Sequence, residues 1–285
     1  EHFSNGADQI KLFITGGVFD AEVEGEPGVL RMPLDIAQAV CDEAHKLGLR
    51  TSAHIESTEG VEVGLKAGVD TIEHGAPLTD ELLKLFKKNG LGNASSLTCT
   101  LSPALPFAVL SPEKTHSTHV QKVNGRVVYE GVATAMRQVL ANGIPVGLGT
   151  DSACPFVTHY DMWREVVYFQ RHTGVTPEFA LHTATLKNAQ LLGVANETGS
   201  IETGKSADLI VLDTNPLDDL CALRNVEQVY MAGKPVKYKA KHLPKIDAEL
   251  DGIMNGLDND PFVSEWNIAE EKKSLNPFAK RGTKE

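Results

Sequence analysis

Four ionisable residues lie in or directly after apolar runs and have the side chains of a metal site. Lys11 lies within the first run. His54 and His74 each end a later run, and Asp151 follows the last one. In parallel α/β proteins the carboxyl ends of the strands share one edge, where ligands bind. Two imidazoles and a carboxylate suit a divalent transition metal such as zinc.

Each of these residues also has an ordinary structural explanation when it is taken alone. A histidine at a strand end can be a hydrogen-bonded core residue, and Asp151 could cap the following helix. A lysine in a strand usually keeps its tip in water. Their recurrence on successive strands favours a shared site.

The elements that would position these residues form a repeating pattern. Apolar runs predict strands over Ile10–Thr15, Leu49–His54, Asp70–His74, Leu91–Leu97 and Ile144–Thr150. Apolar residues at three- and four-residue spacing predict helices over Leu34–Leu47, Val61–Ala67, Leu78–Lys88 and Arg126–Asn142. Glycines follow these helices, as left-handed C-terminal residues should. Repeated strand, helix and glycine predicts parallel βα units with right-handed crossovers.

The pattern changes in the last third of the chain. Two helices are predicted, over Met162–His172 and Pro177–Leu192. After Gly199, short strands are predicted over Ala207–Leu212, Val226–Met231 and Pro235–Tyr238. Residues 200–238 are therefore expected to belong to a small β-rich domain. The polar, lysine-rich residues 239–285 are expected to form a surface extension.

Composition excludes several classes of protein. The 285 residues suffice for one α/β barrel of about 250 residues. A net charge of −11 argues against a protein that binds nucleic acid or anionic lipid. No apolar run approaches the roughly 18 residues of a membrane span. Four widely spaced cysteines without a C-x-x-C motif predict reduced thiols and a cytoplasmic location.

An ordered set of motifs resembles a known family. The motifs are Lys-x-x-x-Thr-Gly-Gly at 11–17, Ser-Ala-His at 52–54, Ile-Glu-His-Gly at 72–75, Gly-Thr-Asp-Ser at 149–152 and Gly-x-Ile-x-x-Gly-Lys-x-Ala-Asp-Leu-Ile-Val-Leu-Asp at 199–213. Together they resemble the metal-dependent amidohydrolase superfamily, nearest its Xaa-Pro dipeptidase (prolidase-like) and imidazolonepropionase-related branch. The resemblance covers roughly Gly6 to Lys237.

The resemblance implies a fold and a division into domains. The fold is α/β, a (β/α)8 barrel of the TIM type, with strands four to eight in this chain. Residues 1–199 would form the C-terminal part of that barrel. Residues 200–238 would be part of a small β-sandwich domain, and residues 239–285 would be a surface extension.

The resemblance also implies a role for each of the four ionisable residues. Lys11 matches the lysine that reacts with CO2 to form a carbamate bridging two metal ions. His54 and His74 match ligands of the more exposed ion. Asp151 matches the catalytic aspartate, which binds the other ion and handles the proton of the bridging hydroxide. The implied cofactor is zinc or a similar divalent metal, two ions per site.

The implied function is hydrolysis of an amide or peptide bond in a small molecule, first a dipeptide of the Xaa-Pro type, by a metal-bridging hydroxide. Two alternatives stay open: a cyclic amidohydrolase or deaminase of the same superfamily, and a non-catalytic scaffold. Deaminases of this superfamily usually hold one metal and lack the bridging lysine, so Lys11 favours hydrolysis. The intact ligand positions argue against a scaffold.

One feature of the family is missing from this sequence. The family supplies two more ligands from an H-x-H pair that ends strand one, and this chain contains no such pair. The resemblance therefore implies a missing N-terminal segment or a companion chain that carries H-x-H, and a homo-oligomer is also expected. On the long connection after strand seven, the candidates to bind a substrate carboxylate are His116, Arg126 and Tyr129; the alternative there is a solvated loop.

Overall fold

A computed structural model describes residues 3–86, 95–237 and 240–268. The chain divides into two compact units, Glu1–Val146 and Gly147–Glu285. Five strands form one sheet in chain order: β1 (Gln9–Phe13), β2 (Arg50–Ile55), β3 (Thr71–His74), β4 (Ser96–Cys99) and β5 (Val146–Leu148). The pairings of β1 to β4 are parallel. The predicted α/β class is confirmed, with consecutive strands as in part of a TIM-type barrel.

Six helices lie in the described part of the first unit. They are α1 (Leu34–Lys46), α2 (Thr58–Ala67), α3 (Asp80–Phe86), α4 (Leu101–Val109), α5 (Pro112–Thr115) and α6 (His119–Ala141). Helix α2 ends as predicted, at Gly68 in a left-handed conformation with φ 86°. Helix α6 begins at His119 rather than at the predicted Arg126. The reason is a capping box, in which Thr118 and Gln121 satisfy each other's backbone N–H groups.

The fourth strand differs in position from its prediction. Residues 91–94 of the predicted strand Leu91–Leu97 lie outside the described residues, and the strand that is described extends to Cys99. The predicted helix end at Lys88 also lies outside them. These shifts leave the strand order unchanged.

The two faces of the sheet differ because strand side chains alternate. One face carries the core and packs against helices. Its residues are between 0 and 2% exposed: Leu12, Ala53, Ile55, Ile72 and Leu97. The opposite face is polar. In register across the strands it carries Lys11 with Ser52, Thr71 and Ser96, then Phe13 with His54, Glu73 and Thr98.

The second unit holds the remaining elements. Its helices are α7 (Met162–Thr173), α8 (Pro177–His182), α9 (Asn188–Leu192), α10 (Pro244–Gly256) and α11 (Pro261–Ile268). A π-helical turn, Thr183–Lys187, joins α8 to α9. Three antiparallel strands form a second sheet: β6 (Leu209–Leu212), β7 (Val226–Met231) and β8 (Lys234–Pro235). Tyr238, the predicted end of the last strand, lies outside the described residues.

The predicted boundaries at residues 199 and 238 stay predictions. Among the described residues, no helix combines the length and apolar character needed to cross a bilayer.

Candidate metal centre

Three side chains meet at the carboxyl ends of β2 and β3. His54, Glu56 and His74 each offer a ligand atom, and these atoms lie within 4.8 Å of one another. Within the described part of the chain, this is the one group of three or more histidine, cysteine or acidic side chains with such spacing. Two nitrogens and a carboxylate oxygen form a donor set that suits zinc.

The His54 ring contacts the side chain of Phe13 and the backbone of Gly16. Its plane stacks on Phe13, with centroids 4.3 Å apart and an angle of 2° between the rings. Its Nε2 lies 3.3 Å from the carbonyl oxygen of Gly16. A carbonyl only accepts, so Nε2 is the donor in this contact. Histidines that bind metals usually donate their other ring N–H to such an oxygen.

His74 reaches the cluster through an unusual backbone conformation. Strict alternation along β3 would place it on the helix-facing side with Ile72. His74 has φ 70°, however, and its ring centroid lies 4.7 Å from that of His54. Left-handed backbone is uncommon in residues other than glycine, and it concentrates at functional sites. The local backbone therefore breaks the alternation that would separate the two imidazoles.

The surroundings of His74 favour its neutral form. The side chain is buried, and its Nδ1 lies 2.6 Å from the hydroxyl oxygen of Thr100. Burial lowers the pKa of His74 well below its usual range, and the charges of His54 and Lys11 act in the same direction. The burial therefore favours the neutral imidazole, in which one ring nitrogen carries a proton and the other a lone pair. A neutral imidazole is the form that binds a metal.

Glu56 is the member of the cluster that sequence reasoning missed. One carboxylate oxygen accepts from the N–H of Val18 at 3.1 Å. Its own N–H donates to the Thr15 hydroxyl at 2.9 Å. A Cβ on Gly28 would come within 2.5 Å of the Glu56 backbone, so the loop after β1 packs directly on it. The sequence did contain one sign of this ligand, since Glu56 lies two residues after the histidine that ends the predicted strand.

Gly17 provides space beside the cluster. A Cβ there would lie 2.9 Å from a carboxylate oxygen of Glu56 and 3.1 Å from Nε2 of His54. Real Cβ contacts essentially never fall below 3.0 Å, and few lie between 3.0 and 3.4 Å. A side chain at position 17 would therefore push on the Glu56 carboxylate and on the His54 ring.

Lys11 lies in β1 on the polar face and is exposed. Its positive charge contributes to the lowered pKa of His74, so its ammonium group acts on the cluster electrostatically. Asp151 lies in the second unit after β5, with φ 54°. Its carboxylate accepts from the Cys154 thiol at 3.3 Å. Its role as ligand and catalytic residue stays a prediction.

The three predicted substrate-binding residues have different environments. His116 is exposed, at the C-terminal cap of α5. Arg126 pairs with Glu130 one turn later on α6. The Tyr129 ring is fully buried, with the Arg126 guanidinium 5.3 Å from its centroid. Their part in substrate binding stays a prediction.

A cavity of about 500 Å³ adjoins the cluster. Its walls are the loop after β1 (residues 25–30), the ends of β2 and β3, and one face of α6. Glu56 belongs both to the cavity wall and to the cluster. A small substrate in this cavity would therefore lie beside the candidate metal ligands.

The parallel sheet defines an α/β protein of the barrel type, and the donor set defines a candidate metal site at one edge of that sheet. The sequence profile of the amidohydrolase family matches residues 1–236. The chain belongs to the amidohydrolase family, and the resemblance inferred from its motifs is confirmed.

Several characterised sequences and structures are similar to this chain. Ochratoxinase of Aspergillus niger is 26% identical over 236 residues, covering 81% of this chain and 47% of the relative. Imidazolonepropionase of Streptococcus sanguinis is 26% identical over 242 residues, covering 81% and 48%. A Bifidobacterium longum protein assigned as a prolidase superimposes with a TM-score of 0.83 at 44% identity, covering 88% of this chain and 61% of that one.

A Xaa-Pro dipeptidase with methionine bound in its active site superimposes with a TM-score of 0.71 at 30% identity. That match covers 83% of this chain and 56% of the dipeptidase. The chain spans about half the length of the curated relatives it matches.

Proposed function

We propose that this chain forms part of a metal-dependent hydrolase that cleaves an amide or peptide C–N bond in a small substrate. A dipeptide of the Xaa-Pro type is the first candidate. The observation that carries the proposal is the cluster of His54, Glu56 and His74 at the carboxyl ends of two adjacent strands. Family membership and the similarity to prolidases support it.

The residues of the cluster suit this chemistry before any substrate arrives. A divalent ion, when bound, supplies a Lewis acid for the scissile carbonyl and lowers the pKa of its water to about 7. His74 is kept neutral by burial, so it offers a lone pair at neutral pH. The Gly16 carbonyl lies 3.3 Å from Nε2 of His54 and helps to orient its ring. Glu56 supplies negative charge at the wall of the substrate cavity.

Lys11 is the proposed bridge between two zinc-like ions. As an ammonium group it would repel a cation beside His74. In the proposed modification, Nζ forms a bond to the carbon of CO2 and loses protons, so a positive group becomes a carbamate anion with two ligand oxygens. The exposed position of Lys11 on the polar face of the sheet gives CO2 access to it.

Asp151 is the proposed proton carrier. Its carboxylate would accept a proton from the attacking water and transfer it to the leaving nitrogen as the C–N bond breaks. The thiol of Cys154 donates to this carboxylate and orients it. Asp151→Asn would then lower kcat by several orders of magnitude, because an amide cannot accept that proton.

Further ligands are proposed to come from outside these 285 residues. Three donors at one cluster suffice for one catalytic zinc, which takes about three protein ligands plus water. A second ion needs more than Lys11 and Asp151, and an H-x-H segment would supply the difference. A homo-oligomer and a cytoplasmic location complete the proposal. The four cysteines form no disulfide with one another, which is compatible with a reducing compartment.

The test combines metal analysis with a substrate panel. The complete protein, including the segment proposed to supply the further ligands, is assayed with Xaa-Pro dipeptides, other dipeptides and a cyclic amide, because an imidazolonepropionase is among the relatives. We expect release of proline, loss of activity with a chelator, and recovery with zinc. Full metal content without hydrolysis of any amide would contradict the proposal, whereas turnover of only the cyclic amide would establish the alternative.

A further inference from the structure

A buried amide side chain of α6 fastens the loop after β1. Asn124 is fully buried within the helix. Its Nδ2 donates to the carbonyl oxygen of Val23 at 2.9 Å. Its Oδ1 accepts from the N–H of Gly25 at 2.7 Å. Both polar groups of one side chain are therefore used on a single stretch of loop backbone.

A second amide of the same helix makes the same pair of contacts elsewhere. Gln138 lies nearer the end of α6. Its Oε1 accepts from the N–H of Leu78 at 2.8 Å, and its Nε2 donates to the carbonyl oxygen of Leu78 at 2.8 Å. Leu78 lies in the connection from β3 to α3. One helix thus holds the loops that follow two different strands.

The amide side chains of asparagine and glutamine are suited to binding loop backbone. An amide carries a donor and an acceptor side by side, as a backbone N–H and C=O require. A carboxylate has only acceptors, and an aliphatic side chain has neither. Loss of the Asn124 amide would remove both bonds to the backbone of Val23 and Gly25, so the loop would be held less firmly against the helix.

Both fastened segments line the cavity. Gly25, the residue bonded to Asn124, is part of its wall, and so is Pro77, the neighbour of Leu78. Between the two amides, α6 itself contributes Val127, Val128 and Gly131 to the same wall. A Cβ on Gly131 would lie 3.4 Å from Pro77, an ordinary van der Waals distance, so the helix and the connection after β3 lie side by side here. The helix and both loops therefore enclose one space beside Glu56.

We propose that α6 sets the shape of the substrate cavity, with Asn124 and Gln138 as positioning residues that hold the loops after β1 and β3 against it. Neither residue touches the candidate metal ligands. Their effect is on how tightly a substrate is held and not on the metal or the proton transfers. This inference rests on the proposed function for its kinetic part only.

The experiment compares Asn124→Ala with a matched control on the same helix. Asn142→Ala removes an exposed amide at the C-terminal cap, whose Nδ2 bonds only within the helix, to the carbonyl of Gln138 at 2.9 Å. Amide hydrogen exchange by mass spectrometry is read over peptides covering residues 18–30. Metal content, KM and kcat for the best substrate are measured on the same preparations.

For Asn124→Ala we expect faster exchange in residues 18–30, a KM raised about tenfold, and kcat and metal content within about twofold of the wild type. The Asn142→Ala control should match the wild type in exchange and KM. Unchanged exchange in the loop, or a lowered kcat with unchanged KM, would overturn the proposal. If the wild type hydrolyses nothing, the proposed function fails, but the exchange result still decides whether Asn124 orders the loop.

Gln138→Ala provides the same test on the loop after β3 if Asn124→Ala does not fold. Its amide is only half-buried, so the variant should keep the fold. Faster exchange around residues 75–80 with a raised KM would support the positioning role. Exchange equal to the wild type there would refute it.

Discussion

The two faces of the five-stranded sheet use the same strands for different purposes. The helix-facing side is apolar and almost completely buried, from Leu12 to Leu97. The other side carries Lys11, His54 and Glu73, and Phe13 is 52% exposed there. The first face follows from the hydrophobic effect, because helices cover it. The second face is where the chain can place groups that a core would exclude.

His74 is the instructive exception to this division. By position it belongs with Ile72 on the apolar side, yet its ring contacts His54 on the polar side. The strand ends there in a left-handed backbone conformation, with φ 70° at His74. Such a conformation costs on the order of 1–3 kcal/mol in a residue other than glycine. The fold bears this strain at the position where two imidazoles must meet.

The largest effect is expected from His54→Asn and His74→Asn, which remove donors from the polar face. Asparagine tolerates left-handed backbone, so His74→Asn should fold. Each variant should lose most of its bound metal and at least about a thousandfold in kcat/KM, roughly 4 kcal/mol of transition-state stabilisation. Metal analysis and kinetics on the same samples provide the measurement.

The matched control for both variants is His242→Asn, a change at a histidine whose side chain is 65% exposed. It should keep the metal and the activity of the wild type. Retention of stoichiometric zinc in both His54→Asn and His74→Asn would show that the cluster is not the metal site.

Ile72→Ala, a change on the apolar face next to the same strand end, should lower stability and leave metal binding unchanged. Ile72 is fully buried, and truncation of such a side chain costs about 2–5 kcal/mol of unfolding free energy. The folded fraction should still bind metal with the affinity of the wild type. Denaturant unfolding and metal titration measure the two quantities separately. A weakened metal affinity without loss of stability would contradict the division between the faces.

The sequence predicts the apolar face well and the polar face only in part. Short apolar runs between helical patterns located β1, β2 and β3 to within a few residues, because buried strands of a parallel sheet are rich in apolar residues. The predicted strand ends also identified His54 and His74 as candidate ligands. Helix α6 was predicted too short, since its first turns depend on the Thr118 capping box rather than on apolar spacing.

What the sequence could not provide is the local geometry of the site. The approach of Glu56 depends on how the loop after β1 folds back onto it, through Val18 and Gly28. The position of the His74 ring depends on the left-handed backbone conformation of that residue. Burial of Asn124 could not be foreseen either, because its partners lie about a hundred positions away in the chain. Long-range contacts of this kind leave no periodic signal.

A smaller effect is expected from Gly17→Ala, which adds one methyl group beside the cluster. The new Cβ would meet Glu56 and Nε2 of His54 at 2.9 and 3.1 Å, so both must shift. We expect metal affinity to fall about 10–100-fold, as when the support of a ligand is removed. Gly252→Ala is the control, since a Cβ there meets nothing within 4 Å. Equal metal affinity in the two variants would show that Gly17 is not required for the site.

The smallest expected effect is that of Thr100→Val, which preserves the shape of a buried side chain and removes its hydroxyl. Nδ1 of His74 then loses its partner at 2.6 Å, and the ring loses the contact that fixes its orientation. We expect metal affinity to fall about tenfold, at the lower end for loss of such a supporting contact. Zinc competition with a chromophoric chelator measures this change.

Because burial, and not the hydroxyl, is the main cause of the lowered pKa of His74, the imidazole should stay neutral in the variant. The loss should therefore be the same at pH 7 and pH 8. A loss at pH 7 that disappears at pH 8 would instead show that Thr100 acts on the protonation of His74, because only a charged imidazole would be rescued by deprotonation.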